Sequence, residues 1–347
     1  MRAFVTAVDS LEHYQSIAAV LNRKPIITTI QMPVDSSQNS STATTRTIRL
    51  GTRGSKLALW QSNWVKSELE QLGVVVELIK IKTEGDIKTG SLAQIGGQGV
   101  FTKRLQIALL ENEIDLAVHS LKDLPTEDHL ELTIAAVPPR ENTADALVSN
   151  KHGDLNSIPK GSKIGTGSVR RAAQLLHLRN DLEIQDIRGN VDTRLQKLDD
   201  GKYDAIVLAS AGLVRLGLGE RITYQFEPHQ LMPAVGQGAL GLETRADDAA
   251  TIEAVSQLND PPSFHRAMAE RSMLRTLFAG CLAPVGANTT VENDELTLEG
   301  IVLSVDGKEK VSVTKTQPIA QSRELGEAVA KELIAKGADK FLSQAKK

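Results

Sequence analysis

Cysteine is almost absent from the chain, since Cys281 is the only one among 347 residues. A single thiol cannot form an internal disulfide, which excludes a disulfide-stapled secreted scaffold. It also cannot build a thiolate metal site, and the seven histidines are scattered without an HExxH motif. Apolar runs are about strand length, far short of the roughly 18 residues that a membrane span needs. We therefore expect no metal and no membrane association.

An excess of positive charge is also missing. The formal net charge is −3, which argues against a non-specific nucleic-acid coat, so we expect no nucleic-acid partner. Hydrophobic residues make up 41% and charged residues 24%, as is usual for a soluble globular protein. The length allows two or three domains.

Residues 1–47 differ from the rest of the chain. Residues 35–45 read DSSQNSSTATT, which has no apolar period and indicates a polar linker. The leader lacks the apolar core of a secretory signal. Its Ser/Thr content is compatible with an organelle transit peptide, but Asp9, Glu12 and Asp35 count against one. We favour a disordered extension of a cytoplasmic protein, and the alternative is a plastid or other organelle.

From residue 46 onward, strand and helix patterns alternate. The helix predicted over residues 56–72 has Leu57, Trp60 and Val65 on one face. This alternation predicts βαβ units and mainly parallel sheets. After NDPP at 259–262 the pattern changes to antiparallel strands and a helix over 322–336. The expected architecture is two α/β domains followed by a small α+β domain.

Two strand-to-helix turns share one design. GTRGSKLA at 51–58 places Arg53 beside a helix start, where backbone N–H groups favour an anion. GTGSVRR at 165–171 repeats the pattern, with Ser168 as the expected helix cap. Arg170 and Arg171 then lie in the first turn, where they oppose the helix dipole unless an anion binds. Two such turns indicate an anionic ligand between the domains, and the alternative is ordinary loops with solvated arginines.

Two further segments carry candidate residues. RGNVDTR at 188–194 adds two guanidiniums at another strand-to-helix turn. AVHSLKDLP at 117–125 ends an apolar strand, where ligands bind in open α/β sheets. Asp123 could act there as a general acid or base, with Lys122 as an anion contact. The alternatives are surface arginines, a capping Asp and a surface Lys.

Seven segments occur in one order along the chain: IRLGTRGSKLALWQ, GGQGVFTKRL, DLAVHSLKDLPT, GTGSVRRAAQL, IRGNVDTRLQKLDDGKYDAIVLA, PAVGQGAL and AGCLAPVGA. Together they resemble the porphobilinogen deaminase family, also called hydroxymethylbilane synthase. The resemblance covers the chain from about Ile48 to the C-terminus. It implies two doubly wound domains like type II periplasmic binding proteins, over 48–138 with 239–257 and over 144–233, and an α+β domain over 261–347.

The resemblance implies a transferase of tetrapyrrole biosynthesis. Members join four porphobilinogen molecules head to tail, with release of ammonia and then hydroxymethylbilane. They build this chain on a dipyrromethane primer, whose thioether to a cysteine corresponds to Cys281. The family's catalytic aspartate corresponds to Asp123, whose carboxylate would stabilise positive charge on pyrrole nitrogen and pass protons. The expected partner is porphobilinogen alone, and the expected state is a monomer.

Each pyrrole carries an acetate and a propionate, so the resemblance also implies a cationic site. Gln94 and Gln98 lie in a loop that is expected over the cleft, at positions where some relatives have lysine. Because both side chains are neutral, they are not predicted to bind carboxylates. The implied cofactor-binding residues are Ser120, Lys122, Thr166, Ser168, Arg170, Arg171, Arg188 and Gly189. The implied substrate-binding residues are Arg53, Ser55, Arg194 and Arg215.

Two other functional classes fit the sequence less well. Two α/β domains that hold an anion also describe a solute-binding receptor, but that class would need an export signal and no covalent group on a cysteine. A degenerate relative without activity is disfavoured because Cys281, Asp123 and the arginines are all present.

Overall fold

The computed structural model describes residues 46–81, 102–127, 129–279 and 283–345. All of them belong to one compact unit that spans residues 45–347. The predicted leader, nearly all of the predicted loop over the cleft, and Cys281 lie outside the described residues.

A five-stranded sheet and the helices packed on it form what we call the first lobe. Its strand order is β2-β1-β3-β10-β4, in which β1 pairs in parallel with β2 and β3 while β10 is antiparallel to both neighbours. Its elements are β1 (Thr47–Thr52), α1 (Lys56–Gln71), β2 (Val75–Lys80), α2 (Lys103–Leu110), β3 (Leu116–Ser120), β4 (Leu132–Ala136), β10 (Leu240–Arg245) and α6 (Ala249–Ser256).

A second five-stranded sheet forms the second lobe and repeats this plan. Its order is β7-β6-β8-β5-β9, in which β6 is parallel to β7 and β8 while β5 is antiparallel to β8 and β9. Its elements are β5 (Asp145–Val148), β6 (Lys163–Gly165), α3 (Val169–Leu178), β7 (Glu183–Gln185), α4 (Val191–Asp199), β8 (Ala205–Ala209), α5 (Ser210–Arg215) and β9 (Tyr224–Gln225).

The chain passes between the lobes twice, from β4 to β5 and from β9 to β10. Each lobe therefore contains one antiparallel strand that enters from the other lobe. This shared order is that of the type II binding-protein fold, so the predicted fold class is confirmed. Strands β5 and β10 were not among the predicted elements, because a short apolar strand has no clear period and its pairing partners are distant in sequence.

The third domain is an antiparallel sheet, β11-β12-β13, covered by helices. Its core includes Met273, Leu298 and Val329. Helices α7 and α8 approach closely, since a Cβ on Gly326 would clash with the Ala269 carbonyl oxygen. The elements are α7 (Pro261–Thr276), β11 (Val285–Glu292), β12 (Glu295–Leu303), β13 (Lys310–Pro318), α8 (Ser322–Ala335) and α9 (Ala338–Ala345).

Sequence patterns locate the helix starts of both lobes well. The Ser55 hydroxyl accepts from the Ala58 amide and so caps α1, and the predicted Ser168 cap of α3 is confirmed by its bond from the Arg171 amide. The predicted last helix ends at Ala335, and α9, which was not predicted, follows Gly337 with its positive φ of 93°.

Candidate active site

Asp123 lies in a tight turn at the end of a buried strand. Strand β3 runs directly into a single 3₁₀ turn, Leu121–Asp123, in which Asp123 is half-buried. The Leu121 amide donates to the Ala239 carbonyl at 3.0 Å. Gly236 has a φ of +69°, and a Cβ there would lie 3.1 Å from the Lys122 nitrogen. The turn is thus pressed against the segment that leads into β10.

The neighbouring Ser120 hydroxyl is already engaged within the first lobe. Gln61 on α1 donates from Nε2 to Ser120 Oγ at 2.9 Å, and both residues are at least partly buried. Ser55 is likewise engaged, because its hydroxyl caps α1 at 3.3 Å. Arg53 is half-buried in the loop directly after β1. These three residues therefore lie at the ends of neighbouring strands of one sheet or close after them.

In the second lobe, Arg170 and Arg171 are buried and converge on one carboxylate. Asp145, at the start of β5, lies 2.8 Å from Arg170 Nη2 and 2.6 Å from Arg171 Nη2. Gln237 also donates to Asp145 at 2.8 Å. Burial acts to raise the pKa of Asp145, but the two arginines outweigh it and lower that pKa to about 2.

Sequence reasoning missed Asp145. The available signal was a carboxylate at the head of the apolar run DALV, because a charged residue is almost never fully buried unless it is paired. One carboxylate facing two guanidiniums leaves a net positive charge. Arg170 Nε is also a buried donor without a hydrogen-bond partner among the described residues. An unsatisfied buried donor of this kind fits an anionic ligand.

Arg188, Gly189 and Arg194 lie together at the start of α4. Gly189 has a φ of +114°, which favours glycine, and its carbonyl accepts from Arg194 Nε at 2.8 Å. Arg188 pairs with Asp186 at 2.8 Å. Within the described part of the chain, no carboxylate forms an ion pair with Arg194. Burial, together with the positive charges of Arg171 and Arg188, lowers the pKa of Arg194 to about 10.

Lys122 brings the two lobes into one electrostatic site. Burial lowers its pKa to about 8, the nearby Asp123 carboxylate opposes this shift, and the charges of Arg171 and Arg170 add to it. Asp123 in turn acts on Arg194. The first-lobe turn therefore lies within the field of the second-lobe arginines, and positive charge is in excess there.

The remaining predicted residues serve local or interlobe contacts. Thr166 is buried, and its hydroxyl accepts from the Ser168 amide at 3.2 Å. Arg215 is buried, donates to the Gly238 carbonyl at 2.7 Å and lies 5.9 Å from the centre of the Trp60 ring. Trp60, expected on the packed face of α1, is 39% exposed and forms this interlobe contact.

No group of three or more potential metal ligands occurs among residues 46–81, 102–127, 129–279 and 283–345. Over the same ranges, no helix is long and apolar enough to cross a membrane.

Comparison with known proteins identifies the family. Residues 48–253 match the model "porphobilinogen deaminase, dipyromethane cofactor binding domain", and residues 264–335 match "porphobilinogen deaminase, C-terminal domain". The chain belongs to the porphobilinogen deaminase family. The predicted family, transferase class and dipyrromethane cofactor are therefore confirmed.

Relatives named porphobilinogen deaminase align with this chain over nearly their whole length. The Geobacter sulfurreducens protein is 47% identical over 300 residues, or 86% of this chain and 94% of that protein. The Pelobacter propionicus protein is 46% identical over 302 residues, or 86% and 97%. The Syntrophobacter fumaroxidans protein is 44% identical over 304 residues, or 87% and 98%.

Solved structures show a more distant likeness. The methionine binding protein MetQ aligns with a TM-score of 0.42 and 14% identity, over 65% of this chain and 94% of that chain. A periplasmic substrate-binding protein from Coxiella burnetii aligns with a TM-score of 0.40 and 14% identity, over 64% and 96%. The fold assignment rests on the strand order of the two sheets and not on these alignments.

Proposed function

We propose that this porphobilinogen deaminase family member joins four porphobilinogen molecules head to tail on a dipyrromethane held by Cys281, with Asp123 as the catalytic carboxylate. The observation that carries the proposal is the position of Asp123, half-buried in a turn at a strand end, where its charge acts on Arg194 of the second lobe. This reaction needs a negative group that stabilises the cationic pyrrole. It also needs an excess of cations that bind the acetate and propionate groups of each pyrrole.

Asp123 acts on the substrate through its negative charge. Loss of ammonia from the aminomethyl group of porphobilinogen leaves a cation that is shared with the pyrrole nitrogen. A carboxylate beside that N–H group stabilises the charge in a partly buried site, where electrostatic interactions are stronger than in water. After the new carbon–carbon bond forms, one ring proton must leave, and in this proposal Asp123 accepts it.

The residues around the turn fit a ligand that carries carboxylates. When bound, the dipyrromethane supplies the nucleophilic pyrrole carbon for the first addition. Lys122 and the unsatisfied Nε of Arg170 are donors suited to its acetate and propionate groups. The full proposed cofactor-binding set is Cys281, Ser120, Lys122, Thr166, Ser168, Arg170, Arg171, Arg188 and Gly189.

Four residues are proposed to bind the incoming substrate. Arg194 is the best supported of them, because its guanidinium has no ion-pair partner within the described ranges and its positive charge is destabilised by its neighbours. Arg53 and Ser55 follow β1 on the other lobe. Arg215 already holds Gly238 and Trp60, so we propose that it supports the site through the interlobe contact.

We further propose a monomer that acts in the cytoplasm on a small molecule, without a nucleic-acid partner. The net charge of −3 supports the last point. A plastid or other organelle stays the alternative location. The domain limits 48–138 with 239–257, 144–233 and 261–347 are supported by the division of strands among three sheets.

The test is the intact mass of the purified protein, followed by peptide mapping and incubation with porphobilinogen. We expect a mass increase of one dipyrromethane on the peptide with Cys281, and formation of hydroxymethylbilane. Cys281→Ser should fold, lack the mass increase and lose activity. Reversible binding of porphobilinogen without turnover would favour a binding module, and a primer retained by the serine variant would refute the anchor assignment.

A further inference from the structure

The turn that carries Asp123 has little support of its own. It contains three residues, and its closing backbone bond runs from the Leu124 amide to the Leu121 carbonyl at 3.2 Å. The Ser120 side chain does not cap it, since that hydroxyl is bonded to Gln61. Pro125 has no amide hydrogen to add another bond. A rigid position for Asp123 must therefore come from contacts outside the turn.

Arg271, on α7 of the third domain, supplies such a contact. Its Nη1 donates to the Leu124 carbonyl at 2.9 Å, and its Nη2 donates to the Pro125 carbonyl at 2.6 Å. These are the two residues directly after Asp123. Because the guanidinium is planar and its donors have fixed directions, the two bonds fix both the position and the orientation of this backbone.

A buried pair holds the other end of the same segment. His119 Nε2 lies 2.9 Å from Glu243 Oε2, and both side chains are almost fully buried. Burial acts to raise the pKa of Glu243, but the hydrogen bond with His119 and the positive charge of Arg271 contribute to a net lowering. The charge of Arg271 therefore also stabilises the carboxylate that anchors the start of the segment.

Helix α7 is a firm support for Arg271. Asp260 caps its first turn by accepting from the Ser263 amide at 3.0 Å. Glu270, the residue before Arg271, pairs with Arg140 at 2.7 Å and accepts from the Gly236 amide at 2.8 Å. Gly236 is the glycine that touches the Lys122 backbone. The helix, the crossing segment and the Asp123 turn thus form one continuous set of contacts.

We propose that Arg271 is a positioning residue that fixes the Asp123 turn against the third domain, so that the carboxylate meets each reacting pyrrole at the same place. This inference rests on the proposed catalytic function of Asp123. Arg271 acts on the turn through its bonds to the Leu124 and Pro125 carbonyls, and its charge also acts on Glu243. The expected cost of losing it is kinetic, because a misplacement of about 1 Å in a reacting group can cost roughly 100-fold in rate.

The experiment compares Arg271→Met and Arg271→Lys with Arg266→Met, all loaded with preassembled primer and checked by intact mass. Arg266 is a matched control on the same helix, where it donates to the Thr289 hydroxyl on β11 at 3.1 Å. We expect Arg271→Met to slow single-turnover ring addition by about 10- to 100-fold at saturating porphobilinogen, with little change in KM. Arg271→Lys keeps the charge and should fold and recover part of the rate. Arg266→Met should lower the melting temperature but leave the rate within about twofold.

A double variant separates this inference from the proposed function. In Asp123→Asn, adding Arg271→Met should slow the reaction little further, since residues that act through one another are not additive. Wild-type rates in Arg271→Met, or full additivity in the double variant, would overturn the positioning role alone. A wild-type rate in Asp123→Asn would overturn the catalytic assignment and the positioning role together.

Discussion

The two lobes share one strand order but place different charged groups at the ends of their strands. The first lobe presents Asp123 at the end of β3, whereas the second presents arginines at the starts of α3 and α4. In the second lobe, Asp145 offsets only part of that charge. Under the proposed function, the first lobe supplies the carboxylate that acts on pyrrole nitrogen, and the second lobe supplies most of the cations that bind the substrate carboxylates.

The largest expected effect is on the first lobe. Asp123→Asn should slow single-turnover addition of porphobilinogen by about 100- to 1,000-fold, because one preorganised electrostatic group is lost. Asp123→Glu should recover part of this rate. Primer occupancy, measured by intact mass, should change little because the arginines remain. Asp181→Asn, which removes a carboxylate paired only with Arg179 in the described structure, is the control and should keep its rate.

The second lobe should instead lose stability when its internal carboxylate is removed. Asp145→Asn leaves two buried guanidiniums without a countercharge, at a cost of about 3–5 kcal/mol in the free energy of unfolding. Chemical denaturation of the primer-free protein measures this loss in the free energy of unfolding. Primer should restore part of the loss if its carboxylates replace Asp145. An equal loss with and without primer would contradict a shared site.

The ion pairs of Asp145 with Arg170 and Arg171 also predict that the folded protein loses stability in acid. The pKa of Asp145 is lowered to about 2 in the folded state, below an ordinary value of about 3.9. Unfolded chains therefore bind more protons between these values, and stability falls as the pH falls. The contribution of Asp145 and its two arginines to the free energy of unfolding should be complete above about pH 4 and lost toward about pH 2. In Asp145→Asn, the free energy of unfolding should therefore depend less on pH over this range.

Arg194→Met tests whether cations of the second lobe bind substrate. A lost charged hydrogen bond is worth about 1.5–3 kcal/mol, so we expect the KM for porphobilinogen to rise by about 10- to 100-fold with a smaller change in kcat. Arg179→Met is the control, since Arg179 is bonded to Asp181 and two carbonyls away from the site. An unchanged KM in Arg194→Met would favour a solvated arginine.

The smallest effect is expected where the lobes meet at the surface. Lys56 on α1 pairs with Asp192 on α4 at 2.8 Å, but both side chains are substantially exposed. Exposed pairs contribute at most about 1 kcal/mol, so Lys56→Gln should change stability and rate only slightly. A large change in ring addition would show that this pair controls the approach of the lobes.

Local patterns predicted much of the fold and the turns of the site. Ser168 was predicted as a cap because capping depends on residues three positions apart, whereas the capping role of Ser55 was not predicted. The second-lobe antiparallel strand β5 was missed because four residues, three of them apolar, are too few to show a distinctive period. Trp60 was expected in the core, yet its contact is Arg215 of the other lobe, which helix periodicity cannot indicate.

By itself, the sequence determined most of the order of helices and strands, the charged residues that follow several strands, and the family. These properties depend on neighbouring residues and on motifs in one order. Only the tertiary structure decided that Asp145 faces Arg170 and Arg171, and that Arg271 holds the backbone after Asp123 from 146 and 147 residues away. Such pairings follow from how separate sheets and helices pack, and the energies of burial and charge act between groups that are close in space, whatever their distance along the chain.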